Sequence, residues 1–194
     1  LPIAREAAEQ LKGFSGKLIV ITNPMDVFTW YFAKHAGLDE GQVVGFGGLL
    51  DSRRFTVALS SMGIKEEGMV LGEHGENQVP VFSKLSVDVP EAVREEVLLG
   101  LRGSSMPVIK GKGGTVFGPA YHIANMMQKI EKGEEFICSL PANGAYGIDG
   151  CSIGLPAKVT RNGAKINENL KLDDWETAKL NAAAEFLTGL CRRV

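Results

Sequence analysis

Apolar and polar positions change period repeatedly along the chain, and each change marks an element. Residues 2–12 (PIAREAAEQLK) are rich in helix formers and meet a stop at Gly13. KLIVIT (17–22) is a short β-branched run of the kind found in strands buried on both faces. DVFTWYFAKHA (26–36) has helical length and is apolar almost all round, so it should be sandwiched in a core or at a subunit interface. QVVGFG (42–47) predicts a second buried strand and residues 49–63 a helix. Strand–helix–strand–helix with strands this apolar indicates a parallel α/β sheet.

Beyond that point the pattern changes. MVLGEHG (69–75) predicts a strand running into a turn, and Pro90-Glu91 opens a helix with Val93, Val97 and Leu101 on one face. Gly111-Lys112-Gly113-Gly114 reads as a mobile loop. Pro119 opens a further helix, with Ile123, Met127 and Ile130 inward and Gly133 as its stop. Between 136 and 168, FICSL, CSIGLPAKVT and AKINE are separated by NG, DG and NG turn signals, which predict antiparallel hairpins. The last helix starts at Asp173 with Glu176 three residues on, and Trp175, Ala178, Ala182, Phe186 and Leu190 form its expected stripe. The reading is α/β followed by α+β, with a boundary near residue 47. Residues 1–47 hold two strands of a parallel sheet, and 48–194 hold a region of antiparallel strands plus helices. Two parallel strands make no stable sheet, so an exposed apolar edge is expected there.

Composition narrows the classes. Hydrophobic residues make up 44% and charged residues 23% of the 194, a globular balance. Lys+Arg 21 against Asp+Glu 23 gives a net charge of -2, which offers no electrostatic reason for a nucleic-acid or anionic-membrane partner. No apolar run is long enough to span a bilayer, and LPIAREAAEQLKGF lacks the apolar core of a signal peptide. Cys138, Cys151 and Cys191 have neither CxxC nor metal spacing, so they read as free thiols in a reducing cytoplasm.

Two glycine clusters invite a nucleotide reading, and both fail. Gly45-Phe46-Gly47-Gly48 follows a strand, but the third glycine of G-x-G-x-x-G falls at Leu50. The 111–114 run lacks the P-loop pattern. Asp51 and Arg54, three apart at a helix start, share a face at the carboxyl end of a buried strand, where open α/β sheets place ligands. His74 lies between Gly72-Glu73 and Gly75, straight after an apolar strand, which should present its imidazole to a cleft. His35 and His122 have no ligand spacing to it, so no metal site is indicated.

In combination, IVITNPMDVFTW, GLLDSRRF, VLGEHGENQVPVFS and KGGTVFGPA resemble the lactate/malate dehydrogenase family in order and spacing over essentially the whole chain. The details lean towards archaeal, lactate-dehydrogenase-like malate dehydrogenases. The resemblance implies the C-terminal remainder of a dinucleotide-binding Rossmann sheet, then the family's substrate domain. It also implies that the glycine fingerprint, the ribose-binding acid and the substrate-closing loop precede Leu1, so the chain is expected to be a fragment, a cleaved chain or the ordered part of a longer enzyme.

By that resemblance His74 donates and accepts the proton that accompanies hydride transfer between a nicotinamide cofactor (NAD, with NADP open) and a 2-keto or 2-hydroxy acid. Asp51 pairs with the other ring nitrogen. Arg54 binds the substrate carboxylate through its planar fork, while Asn23 touches both substrate and cofactor. Ile21 and Thr22 line the cofactor groove, Thr115 lines the substrate pocket, and Asn23–Pro24 is a cis bond. Leu49 and Glu76 depart from the family's usual Asn and Asp. Arg53 competes with Arg54 for the carboxylate role, and the spacing from Asp51 favours Arg54. The expected activity is malate dehydrogenase of the cytoplasm, acting on a small dicarboxylate. Lactate dehydrogenase, or a non-catalytic truncated module, are the alternatives. The apolar 26–36 helix favours a homodimer or homotetramer.

Overall fold

A computed structural model describes residues 2–194. In chain order its elements are α1 (Pro2–Gln10), β1 (Leu18–Val20), α2 (Met25–His35), β2 (Val43–Gly45), α3 (Gly48–Ser61), β3 (Val70–Gly72), β4 (Gln78–Pro80), α4 (Glu91–Gly103), α5 (Met106–Lys112), α6 (Phe117–Lys132), β5 (Glu135–Pro141), β6 (Ser152–Thr160), β7 (Gly163–Ile166) and α7 (Asp174–Cys191). The strands join in one sheet of order β1-β2-β5-β6-β3-β4, with β7 on β6.

The expected parallel pair is present: Leu18–Val20 runs beside Val43–Gly45. It is not orphaned. β5 pairs antiparallel with β2 at Gly45↔Ser139, so the parallel pair runs on into the antiparallel strands. The exposed edge expected of two isolated strands is reduced to the outer side of β1. The hairpins expected after residue 136 form as β5, β6 and β7, with Thr160↔Gly163 closing the last one around Arg161-Asn162. β4, which the hydrophobic pattern did not separate from β3, returns antiparallel to it after a five-residue turn that carries His74.

Helices cover both faces of the sheet. Along β5, Phe136, Cys138 and Leu140 enter a cluster with Leu50 of α3 and Met126 of α6. Ile137 enters the opposite cluster, with Val27 of α2 and Leu180, Ala183 and Leu187 of α7. α2 is buried on several sides by the chain itself, with Tyr31, Phe32 and Ala33 packed against Ala4 and Ala8 of α1. The apolar surface that pointed to a subunit interface is therefore largely consumed within the chain.

Three local expectations are corrected. Residues 111 and 112 belong to α5, which Gly113 ends in the left-handed region at φ 76, so only the second half of that glycine run is a turn. α6 begins at Phe117, with Pro119 inside its first turn, where the missing N–H costs nothing; Met126 is its buried methionine and Met127 is 58% exposed. The buried face of α7 is Glu176, Leu180, Ala183, Leu187 and Cys191, and Phe186 points outward. A glutamate at the amino-terminal end of that face hid it from a hydrophobic pattern. Glu176 tolerates full burial because its carboxylate is saturated. Oε1 accepts the N–H groups of Phe82 and Ser83 at 2.7 Å each, while Oε2 accepts Ser83 Oγ at 2.6 Å and Asp173 N at 3.1 Å. The side chain of Asp173 accepts Glu176 N in return, completing the expected capping box.

Candidate active site

Three elements bring the predicted residues together. β1 ends at Val20, so Ile21, Thr22 and Asn23 follow at its carboxyl end, and the Asn23–Pro24 peptide is cis. α3 starts immediately after β2 and turns Asp51 and Arg54 to one side. The β3–β4 turn delivers His74. Gly72 at φ 87 starts that turn; a Cβ there would sit 2.5 Å from the Asn77 carbonyl oxygen.

Asp51 is 3% exposed and lies under the other two side chains. Its Oδ2 is 2.6 Å from His74 Nδ1, and its Oδ1 accepts Arg54 Nη1 at 3.0 Å. Because an ionised carboxylate only accepts, Nδ1 carries the proton in that contact, and Nε2 is the nitrogen left for other chemistry. Burial works against a charged His74 ring. The Asp51 hydrogen bond and the charges of Asp51 and Asp26 outweigh it, and the His74 pKa is raised above its ordinary value despite the opposing charge of Arg54.

His74, Arg54, Asn23, Ile21 and Thr115 line a common cavity of about 390 Å³, together with Arg102 of α4. Thr22 is exposed and stands outside that lining. Arg53 points away into a different hollow beside His122, so of the two adjacent arginines only Arg54 reaches the His74 cavity. Arg54 and Arg102 outnumber the carboxylate of Glu76 in the lining, which suits the cavity to an anionic group, and Nε of Arg102 is buried with no hydrogen-bond partner.

Sequence reasoning missed two participants. Gly47 lies directly against the His74 ring. Asp26, on α2, accepts the backbone N–H of His74 at 2.8 Å through Oδ2. A carboxylate alone in an otherwise apolar helical run was the available signal, since a buried charge requires a partner. The three cysteines are free and buried, and burial raises each thiol pKa, which suits packing rather than nucleophilic chemistry. No helix among the described residues is long and apolar enough to cross a membrane.

Residues 49–191 match the family model described as lactate/malate dehydrogenase, alpha/beta C-terminal domain. The chain is 36% identical over 96% of its length to a malate dehydrogenase of Natronomonas pharaonis, covering 66% of that protein. It is 32% identical over 92% of its length to an L-lactate dehydrogenase of Macrococcus caseolyticus, covering 62% of it. Among solved structures, malate dehydrogenase from Archaeoglobus fulgidus in complex with NADH superposes with a TM-score of 0.88 at 33% identity, over 99% of this chain and 67% of that one. The chain thus spans just under two thirds of the length of the curated relatives it matches.

Proposed function

Given that the chain belongs to the lactate/malate dehydrogenase family, we propose that it supplies the substrate-binding and proton-transferring residues of a nicotinamide-dependent 2-hydroxy-acid dehydrogenase, with oxaloacetate and malate as the substrate pair. The observation that carries this reading is that Asp51 holds both His74 and Arg54, and that those two side chains open on one cavity. A histidine anchored on a carboxylate, beside an arginine facing the same cavity, suits the proton transfer and carboxylate binding that reduction of a 2-keto acid requires.

The residues present fit the nicotinamide end of a cofactor. Ile21 offers a side chain 47% exposed at the cavity, an apolar surface for a flat ring, and Asn23 beside it offers a polar amide. A bound nicotinamide supplies or accepts the hydride. The chain's own residues do the rest. Arg54 holds the substrate carboxylate, leaning on Asp51 for its orientation. His74 gives the Nε2 proton to the substrate carbonyl oxygen as it becomes a hydroxyl, and takes it back in the reverse direction. Asp51 keeps the ring in the required tautomer and stabilises the imidazolium. Thr115 lines the same cavity.

Malate is preferred over lactate because five malate dehydrogenases are 34% to 37% identical to the chain, against 31% to 32% for three lactate dehydrogenases. The experiment joins to this chain, in turn, the amino-terminal segments of the Archaeoglobus malate dehydrogenase and of the Macrococcus lactate dehydrogenase, and follows NADH oxidation with oxaloacetate and with pyruvate. Faster turnover of oxaloacetate with both segments supports the proposal. Preference for pyruvate makes the protein a lactate dehydrogenase, and no turnover of either by a folded chimera contradicts a dehydrogenase role.

A further inference from the structure

We propose that Asp26 is a second carboxylate support for His74, a positioning residue that holds the backbone of the proton-carrying histidine from below while Asp51 holds its ring. The inference takes His74 as the proton carrier of the preceding reading, but its test reads the histidine directly and does not depend on turnover.

Asp26 is 2% exposed in the first turn of α2, a helix otherwise committed to the core. A buried carboxylate with no role would be replaced at a gain in stability by an apolar residue. Its Oδ2 accepts the His74 N–H. Oδ1 makes no hydrogen bond of good geometry, although the Ser139 hydroxyl of β5 stands beside it. Among the charges that face it are those of His74 and Glu73 from the β3–β4 turn. The thiols of Cys151, ahead of β6, and Cys191 of α7 also face it.

His74 therefore sits between two carboxylates delivered by different helices, Asp51 from α3 and Asp26 from α2, with the cation of Arg54 opposing them. His74 lies in a turn bounded by Gly72 and Gly75, so its main chain has few intrinsic restraints. The Asp26 hydrogen bond removes that freedom at the residue whose ring has to be aimed. The same charge favours the imidazolium. Burial, partly offset by Ser139 and by the His74 backbone, pushes the Asp26 pKa up to about 6, close to where histidine titrates. The two groups should therefore titrate as a coupled pair.

The test follows the His74 ring by NMR as pH is varied in the 194-residue chain, with the resonance assigned through His74→Asn. Asp26→Asn keeps the shape and one accepting oxygen while removing the charge. The expected result is a folded variant whose His74 midpoint falls by about half a pH unit or more. A folded Asp26→Asn with an unmoved midpoint overturns the proposal, and a residue of purely structural importance would give that result. A second measurement needs no variant: the Asp26 carboxyl carbon of the wild-type chain should titrate near 6 and share inflections with the His74 ring. An Asp26 carbon that titrates near its ordinary 3.8, with no response at His74, overturns it equally.

Discussion

Gly47 lies in contact with the imidazole of His74, so closely that a Cβ built on Gly47 would sit 2.7 Å from His74 Cγ and 2.9 Å from Nδ1. Its φ of 151 lies in the half of backbone space that side chains rarely adopt. The glycine therefore serves two ends: it turns the chain from β2 into α3, and it leaves room for the ring that Asp51 holds. Gly47→Ala is expected to push the ring off Asp51, lower the His74 titration midpoint, and cut turnover by more than about tenfold, since a misplacement of about 1 Å can cost far more. Wild-type turnover with an unmoved midpoint would contradict the contact.

Arg54 and Arg53 differ by one residue and by which hollow they enter. Arg54→Lys removes a planar fork from the cavity and should raise the KM for the keto acid sharply, because a charged hydrogen bond is worth roughly 1.5–3 kcal/mol. Cofactor affinity should be unchanged. Arg53→Lys should leave both values near wild type. Steady-state kinetics of the two variants side by side separate the registers; a larger effect at Arg53 would place the substrate carboxylate there and contradict the role given to Arg54.

The pH dependence of stability has a definite sign at this site. Asp26 has a folded pKa of about 6 against an ordinary 3.8, so its contribution is fully present below about 4 and is lost as pH rises through 6. His74 is also raised in the folded state, so its contribution is fully present below about 6.5 and is lost as pH rises through its higher folded value. Asp173 works the other way. Burial would raise it, but Arg94 and the N–H groups of Glu176 and Trp175 outweigh burial, so its contribution is present above 3.8 and is lost as acid protonates it. Difference curves of Tm against pH isolate the site. Wild type minus Asp26→Asn should decline between about pH 4 and 6, and wild type minus His74→Asn should decline above about 6.5. Flat difference curves would contradict the shifts.

Leu187 and Phe186 decide which face of α7 is buried. Leu187→Ala should cost about 2–5 kcal/mol because Leu187 is 1% exposed, while Phe186→Ala should cost much less because that ring is 46% exposed. Denaturant unfolding of the two variants checks this, and the reverse order would restore the stripe that the hydrophobic pattern suggested.

What could be read from the sequence follows from how local each signal is. The parallel pair, the hairpins after residue 136 and the capped start of α7 rest on strand composition, NG turns and a four-residue capping pattern, all short-range. Locally, Asp51 and Arg54 stood out only as a pair at a helix start and His74 only as a glycine-flanked histidine; the family resemblance linked the two segments, which the fold brings into contact through Asp51. The face of α7 was not legible, because Glu176 is buried by hydrogen bonds to Phe82 and Ser83, residues far away in sequence. Asp26 escaped for the same reason: its partner is His74, 48 residues on. β4 escaped because GENQVPVF carries no alternation strong enough to separate a three-residue strand from a turn.

The central claim is that His74 moves the proton. In the chimera that carries the Archaeoglobus relative's amino-terminal segment, His74→Asn should leave NADH binding near wild type and lower kcat with oxaloacetate by about 10²-fold or more, the usual worth of a general acid. Retention of more than about a tenth of the wild-type kcat, below the smallest loss general acid catalysis ordinarily leaves, would contradict the account and remove His74 from the chemistry.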